Sequence, residues 1–316
     1  MTIDNFPDFA LLEIFDFYLV EARVEGYIEA WHTLVHVCRK WRNVVFGSPR
    51  RLGLRIYCKA RTPVREKLDV WPPLPIVIWV PCHEKWVDDN IYAALGHNDR
   101  ICSINVSIVP GSQAENVWEA LQQPFPVLET LRLAFEDTIL PVLSDSVLGG
   151  SAPSLETLTL DRIPFPGLPK ILLSATHLVI LELWDIPPSG YFSPEVIVTC
   201  LSVSTRLKRI AIHFDGLPIY PDRGGPPPQT RTLFPVLDSL RFTGPSEYLE
   251  NLVARIDVPL LNNLLIIFFH QLIFDTPQLN QFISRTPKFN AHNKPDVHFI
   301  NRRGLCEPLP LPWVGS

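Results

Sequence analysis

Several features are scarce or missing in this chain of 316 residues. No apolar run reaches the roughly 18 residues that a membrane-spanning helix needs. The longest candidates, Leu74 to Val80 and Leu264 to Phe269, are the length of strands, so no membrane span is expected. Excess positive charge is missing too. The 28 Lys and Arg against 33 Asp and Glu leave a net charge of -5, which offers no field for a nucleic acid. The opening Met1-Thr-Ile-Asp-Asn-Phe is acidic where a secretory signal would be basic, so no signal peptide is expected. The six cysteines, at 38, 58, 82, 102, 200 and 306, include no Cys-x-x-Cys pair and sit in largely apolar contexts. Free buried thiols in a reducing compartment, cytoplasmic or nuclear, are the expectation.

Signatures of chemistry are absent as well. There is no Gly-x-Ser-x-Gly elbow, no Gly-x-x-x-x-Gly-Lys loop, no Gly-x-Gly-x-x-Gly and no His-Glu-x-x-His. His32 and His36 lie four apart with Cys38 near, but zinc needs three or four convergent ligands, and His36 and Cys38 would face different directions. Cys82-His83 pairs a nucleophile with a base, yet adjacent side chains rarely face one another. Neither an enzyme nor a metal or cofactor is expected.

What the chain has is 47% hydrophobic residues against 19% charged, the balance of a globular protein, and 32 prolines, many at points where a loop enters a strand. It also repeats itself. Pro126-Val-Leu128-Glu-Thr-Leu131-Arg-Leu133 returns as Pro153-Ser-Leu155-Glu-Thr-Leu158-Thr-Leu160, and again in segments centred on Leu181, Ile210, Leu240 and Leu264, with a weaker copy at Ile104. The intervals between these central residues are 27, 27, 23, 29, 30 and 24. Such a period marks a leucine-rich repeat, in which each unit is too small to bury its apolar side alone and must stack on its neighbours. Apolar offsets of 0, 3 and 5 fit a turn leading into a short alternating strand, not a helix.

Between these strands lie segments of helical spacing, such as Val117, Trp118 and Leu121, or Ile197, Cys200 and Leu201, or Leu249, Leu252 and Val253. The expected fold class is therefore α/β, a right-handed solenoid on a parallel sheet with a small helical unit in front; the alternative is an ordinary doubly wound domain. Residues 1–50 form the helical unit, 51–100 the connection with the first solenoid strands, and 101–316 the repeats with a C-terminal cap. In the connection, Leu52, Leu54 and Ile56 alternate like a strand, and Lys59 to Trp71 reads as a solvated loop. The insertion Gly216 to Thr232, with Gly224-Gly225-Pro226-Pro227-Pro228, reads as a surface loop.

In the first unit, Pro7 and Asp8 suit a helix start, and only Glu13 and Asp16 interrupt the apolar run to Val20. A helix apolar around most of its girth needs partners on more than one side, and fifty residues supply little core, so part of this surface is expected to meet another protein.

These residues resemble a known family. Phe6-Pro7-Asp8, Leu11-Leu12-Glu13-Ile14-Phe15 and Val37-Cys38-Arg39-Lys40-Trp41-Arg42 are similar to the F-box, whose usual form is Leu-Pro-x-Glu-Leu-Leu-x-x-Ile-Phe followed by Val-Cys-Arg-x-Trp-Arg. The chain departs from it at Phe6, Phe9 and Ala10 and in a longer Glu21 to Glu29 stretch. With its repeats the whole resembles fungal F-box proteins with leucine-rich repeats. That resemblance implies a substrate-receptor subunit of a Skp/cullin/F-box ubiquitin ligase, its box on the Skp adaptor and its repeats on a target protein. It implies adaptor contact at Pro7, Leu11, Ile14, Phe15, Val37, Cys38 and Trp41. On the repeats, alternation turns Arg132, Glu182, Trp184, Arg209, His213 and Arg241 outward, and Trp184 with Arg209 and Arg241 has the composition of a binding hot spot. The alternative is a standalone repeat scaffold whose first helices only cap the stack.

Overall fold

The computed structural model describes residues 6–24, 29–59, 64–80, 89–108, 112–135, 142–216, 230–269 and 276–290. Nine parallel strands form one sheet in the order β1 (Ile56–Cys58), β2 (Ile76–Val80), β3 (Ile101–Ile108), β4 (Thr130–Phe135), β5 (Thr157–Asp161), β6 (Ile180–Ile186), β7 (Arg209–Phe214), β9 (Ser239–Gly244) and β11 (Asn263–Phe268). The short strands β8 (Thr232–Leu233) and β10 (Ile256–Asp257) pair separately, also in parallel. Spatial order follows chain order, so each strand lies beside the strand of the next unit.

The register explains the period in the sequence. Ile78, Ile104, Leu131, Leu158, Leu181, Ile210, Leu240 and Leu264 stand opposite one another across eight successive strands. Val106, Leu133, Leu160, Leu183, Ile212, Phe242 and Ile266 make a second such line. All but Leu264 and Ile266 of these are buried. The first apolar residue of each unit, such as Leu128, Leu155, Leu178 and Leu237, has no exposed surface. Its amide donates three residues back, to Phe125, Ala152, Ala175 and Phe234 respectively. These units thus enter their strands through a β-turn whose second position holds Pro126, Pro153 or Pro235, where a fixed φ suits the turn, and Thr176 in the Leu178 unit. The next amide donates to the preceding unit: Glu156 to Glu129, Val179 to Glu156, Lys208 to Val179, Asp238 to Lys208 and Asn262 to Asp238, all at 2.8–2.9 Å. This backbone line ties turn to turn before the strands begin.

The crossovers carry helices α4 (Val64–Val70), α5 (Asp89–Leu95), α6 (Ser112–Ala120), α7 (Leu168–Ser174), α8 (Pro194–Leu201), α9 (Ser246–Val253) and α10 (Pro277–Arg285), followed by the short α11 (Pro287–Asn290). Sequential helices pack on one another from α4 to α6 and from α7 to α10. Ahead of the sheet stand α1 (Asp8–Val24), α2 (Trp31–Val35) and α3 (Arg39–Gly47). Among the described residues no helix is long and apolar enough to cross a membrane.

Two expectations for residues 50–71 need correction. Leu52 and Leu54 are buried, but they sit in the turn that ends α3, where the Leu54 amide donates to Pro49 and Gly53 takes a left-handed φ of 58°. A side chain at position 53 would oppose that φ, so the alternation there reflects a glycine turn. The stretch expected to be a solvated loop contains α4, because Val64 is buried and Leu68 packs against the core one helical turn later. Residues 217–229 of the expected surface loop and the Cys82-His83 pair lie outside the described residues, as does the tail from 291.

Candidate functional site

The N-terminal helices sort their apolar residues into two sets. Leu11, Phe15, Leu19 and Ala22 recur every three or four residues along α1 and are buried. Ile14, Phe17 and Tyr18 occupy the adjoining side at the same steps and are exposed, with Phe9 and Val20 beyond them. Phe17 keeps 72% of its surface in water and Val37, after α2, keeps 51%. Among the described residues the buried stripe of α1 is complete without Phe17 and Ile14, which stay exposed.

Of the residues expected at an adaptor surface, Pro7, Ile14 and Val37 are exposed. Leu11 and Phe15 are corrected to core positions: at 1% and 0% exposure they have no surface to offer a partner. Cys38 and Trp41 lie between. Cys38 caps α3, its Sγ accepting the Trp41 amide at 3.5 Å, and the Trp41 ring packs 4.7 Å from Phe15. Phe17 was not singled out from the sequence, although its eight-residue step from Phe9 and three-residue step from Ile14 were visible there.

The same helices close one end of the sheet. The Trp31 indole Nε1 donates to the Arg55 carbonyl at 3.2 Å, and the Glu29 carboxylate accepts the Tyr57 amide at 3.1 Å and Lys67 Nζ at 2.9 Å. Glu29 thereby satisfies a backbone donor on β1, an outermost strand of the sheet. His32 and His36, weighed as metal ligands, instead face Trp71: His32 stacks on it at 5.0 Å and His36 meets it edge-on at 6.0 Å. Among the described residues no group of three or more His, Cys, Asp or Glu could hold a metal.

The outward side of the sheet is the second candidate surface. Register places Arg132, Thr159, Glu182, Ala211 and Arg241 in one row across β4, β5, β6, β7 and β9. Glu182 accepts from Thr159 Oγ1 at 3.4 Å and pairs with Arg209 at 3.6 Å. Trp184 is one row on, half-buried, 6.1 Å from the His213 ring. The expected grouping of Trp184 with Arg209 and Arg241 is therefore spread over three rows. Trp184 has His213 as its neighbour, and Arg209 is engaged by Glu182.

The sequence reading passed over a polar chain at the carboxyl ends of β5 to β7. His213 Nδ1 lies 2.5 Å from Asp185 Oδ1, and Arg162 Nε lies 3.6 Å from Asp185 and 3.7 Å from Asp161. Burial pushes the Asp161 carboxyl above the usual range and Asp185 adds to this, while Arg162 and His213 oppose it. Strict alternation after Trp184 would have turned Asp185 inward. A register shift between Leu183 and Ile186 and a left-handed φ of 48° at Asp185 release it. The signal was legible as Leu-x-Leu-x-x-Ile, one residue longer than alternation, in both Leu158 to Ile163 and Leu181 to Ile186. The arrangement is a set of charges compensating one another on the outward face. Neither a protein-family model nor a curated protein matches the chain.

Proposed function

We propose that the chain is a non-catalytic substrate-receptor subunit of a Skp/cullin/F-box ubiquitin ligase, with α1 to α3 docking a Skp-type adaptor and the outward sheet face holding a target protein in the cytoplasm or nucleus. The observation that carries this reading is the exposed apolar side of α1, Ile14 and Phe17, with Val37 exposed after α2, on the helices whose sequence resembles the F-box. The contact set on this reading is Pro7, Ile14, Phe17 and Val37, with Leu11, Phe15 and Trp41 shaping the core behind them. Covering apolar surface of this kind contributes about 25 cal/mol per Å² removed from water.

The test is co-purification of the full chain with a Skp-type adaptor. The expected result is a stable complex that Ile14→Asp/Phe17→Asp abolishes while the melting temperature of the variant stays within a few degrees of the parent. Leu11→Asp is expected to unfold the helical unit instead, since it puts a charge into the core. No complex with the parent chain would favour the second reading, a standalone scaffold whose first helices cap the stack. The contacts of Glu29 with β1 and of Trp31 with Arg55 just ahead of it favour that reading.

A further inference from the structure

The outward sheet face carries charges of two kinds. Glu182 is matched by Arg209 and Thr159, and Asp185 by His213 and Arg162. Arg132 and Arg241 are different: both are exposed, and neither side chain has a hydrogen bond or ion pair among the described residues. They stand in the same row at its two ends, on β4 and β9, four strand steps apart. Between them the floor is low and already satisfied, for Thr159 and Glu182 hold each other and Ala211 is 1% exposed. Trp184 flanks this floor with a half-exposed ring.

We infer that this row receives an extended acidic peptide segment of another protein, with Arg132 and Arg241 each taking an Asp or Glu carboxylate and Trp184 taking an apolar side chain between them. The inference rests on the receptor reading for the existence of a protein target and names the target's chemistry. A guanidinium presents a planar fork that matches a carboxylate with two parallel hydrogen bonds, which an exposed lysine would not do. Four strand spacings amount to about 19 Å, and an extended peptide covers that in about six residues. A nucleic acid fits poorly, since it would need a track of cations at phosphate spacing and the whole chain carries -5.

The experiment pans random dodecapeptides on phage against the immobilised full-length chain and, in parallel, against Arg132→Glu/Arg241→Glu. The parent is expected to enrich peptides with two acidic residues about six positions apart around an apolar residue, and the variant to enrich Lys or Arg at those positions. A winning peptide is expected to bind the variant at least about tenfold more weakly, and the parent several-fold more weakly as salt rises from about 50 to about 300 mM. Both arginines are exposed, so the variant should melt with the parent; if it does not, Arg132→Gln/Arg241→Gln replaces it. No enrichment, no acidic excess, the same peptides from parent and variant, or capture of a single-stranded oligonucleotide with no peptide would each overturn the inference. Adaptor binding is measured on the same samples. Adaptor bound without acidic peptides sinks this inference alone, and acidic peptides bound without adaptor sink the ligase reading alone.

Discussion

His32 lies flat on Trp71, its ring 15° from parallel, and edge-on to Trp31 at 3.9 Å, with its Nε2 buried and without a hydrogen-bond partner among the described residues. Burial pushes its pKa below the usual value of about 6.5; Lys67 and His36 push the same way and Glu29 opposes them. The folded chain therefore binds this proton less readily than the unfolded chain. Below about pH 6.5 the unfolded state holds more protons, so stability rises with pH through that window and is lost as pH falls. Denaturant titrations are expected to show a parent chain weaker at pH 5.5 than at pH 7.5. His32→Phe, which keeps the stack and drops the titrating nitrogen, should flatten that slope. Screening at this half-exposed ring keeps the change well under the ~1.4 kcal/mol per pH unit of one full proton. An identical slope in the variant would assign the pH dependence to other groups. Cys58, on β1, is a buried group of the opposite kind: burial pushes its thiol up to about 12, with Lys67 and Arg100 opposing and Glu29 adding, which leaves it inert.

At the scale of elements, the strands and their turns were the most legible part of the chain. Leu-x-x-Leu-x-Leu encodes a turn residue and two inward rungs, and Leu155, Leu158 and Leu160 take those places. Leu158→Ala is expected to lower stability by about 2–5 kcal/mol, since a fully buried leucine in a line of its equivalents leaves a cavity that neighbours on both sides hold open. Thr157→Ala, on the outward side one residue away, should change it by less than about 0.5 kcal/mol. Equal effects in thermal melts would contradict the assignment of faces. Less was legible where local backbone overrides alternation: Gly53 turned an apparent strand into a corner, and the extra residue in β6 brought Asp185 outside beside Trp184. The facing of α1 was ambiguous for another reason. With apolar residues around most of its girth, periodicity alone could not decide that Leu11 and Phe15 go inside while Ile14 and Phe17 stay out.

At the scale of the molecule, one apolar core runs from Leu11 to Phe282 without a gap between the first helices and the sheet. The position near residue 100 that separated connection from repeats is crossed by direct pairing of β2 with β3. Removing residues 1–50 takes away Glu29 and Trp31, which hold the Tyr57 amide and the Arg55 carbonyl, and the buried side chains Leu11, Phe15, Leu34 and Val45 that extend the core. The shortened chain is expected to melt at least several degrees lower than the parent by circular dichroism. An unchanged melting temperature would make the helical unit an independent body.

The carboxylate of Glu29 on the Tyr57 amide has a consequence beyond the single chain. A parallel stack is in principle open-ended, because any outermost strand can template the next, from its own chain or a stranger's. By holding the Tyr57 amide and pairing with Lys67, Glu29 makes the first rung chemically unlike the interior ones and occupies a donor that an added strand would need. One end of the ladder thus carries its own side-chain stop.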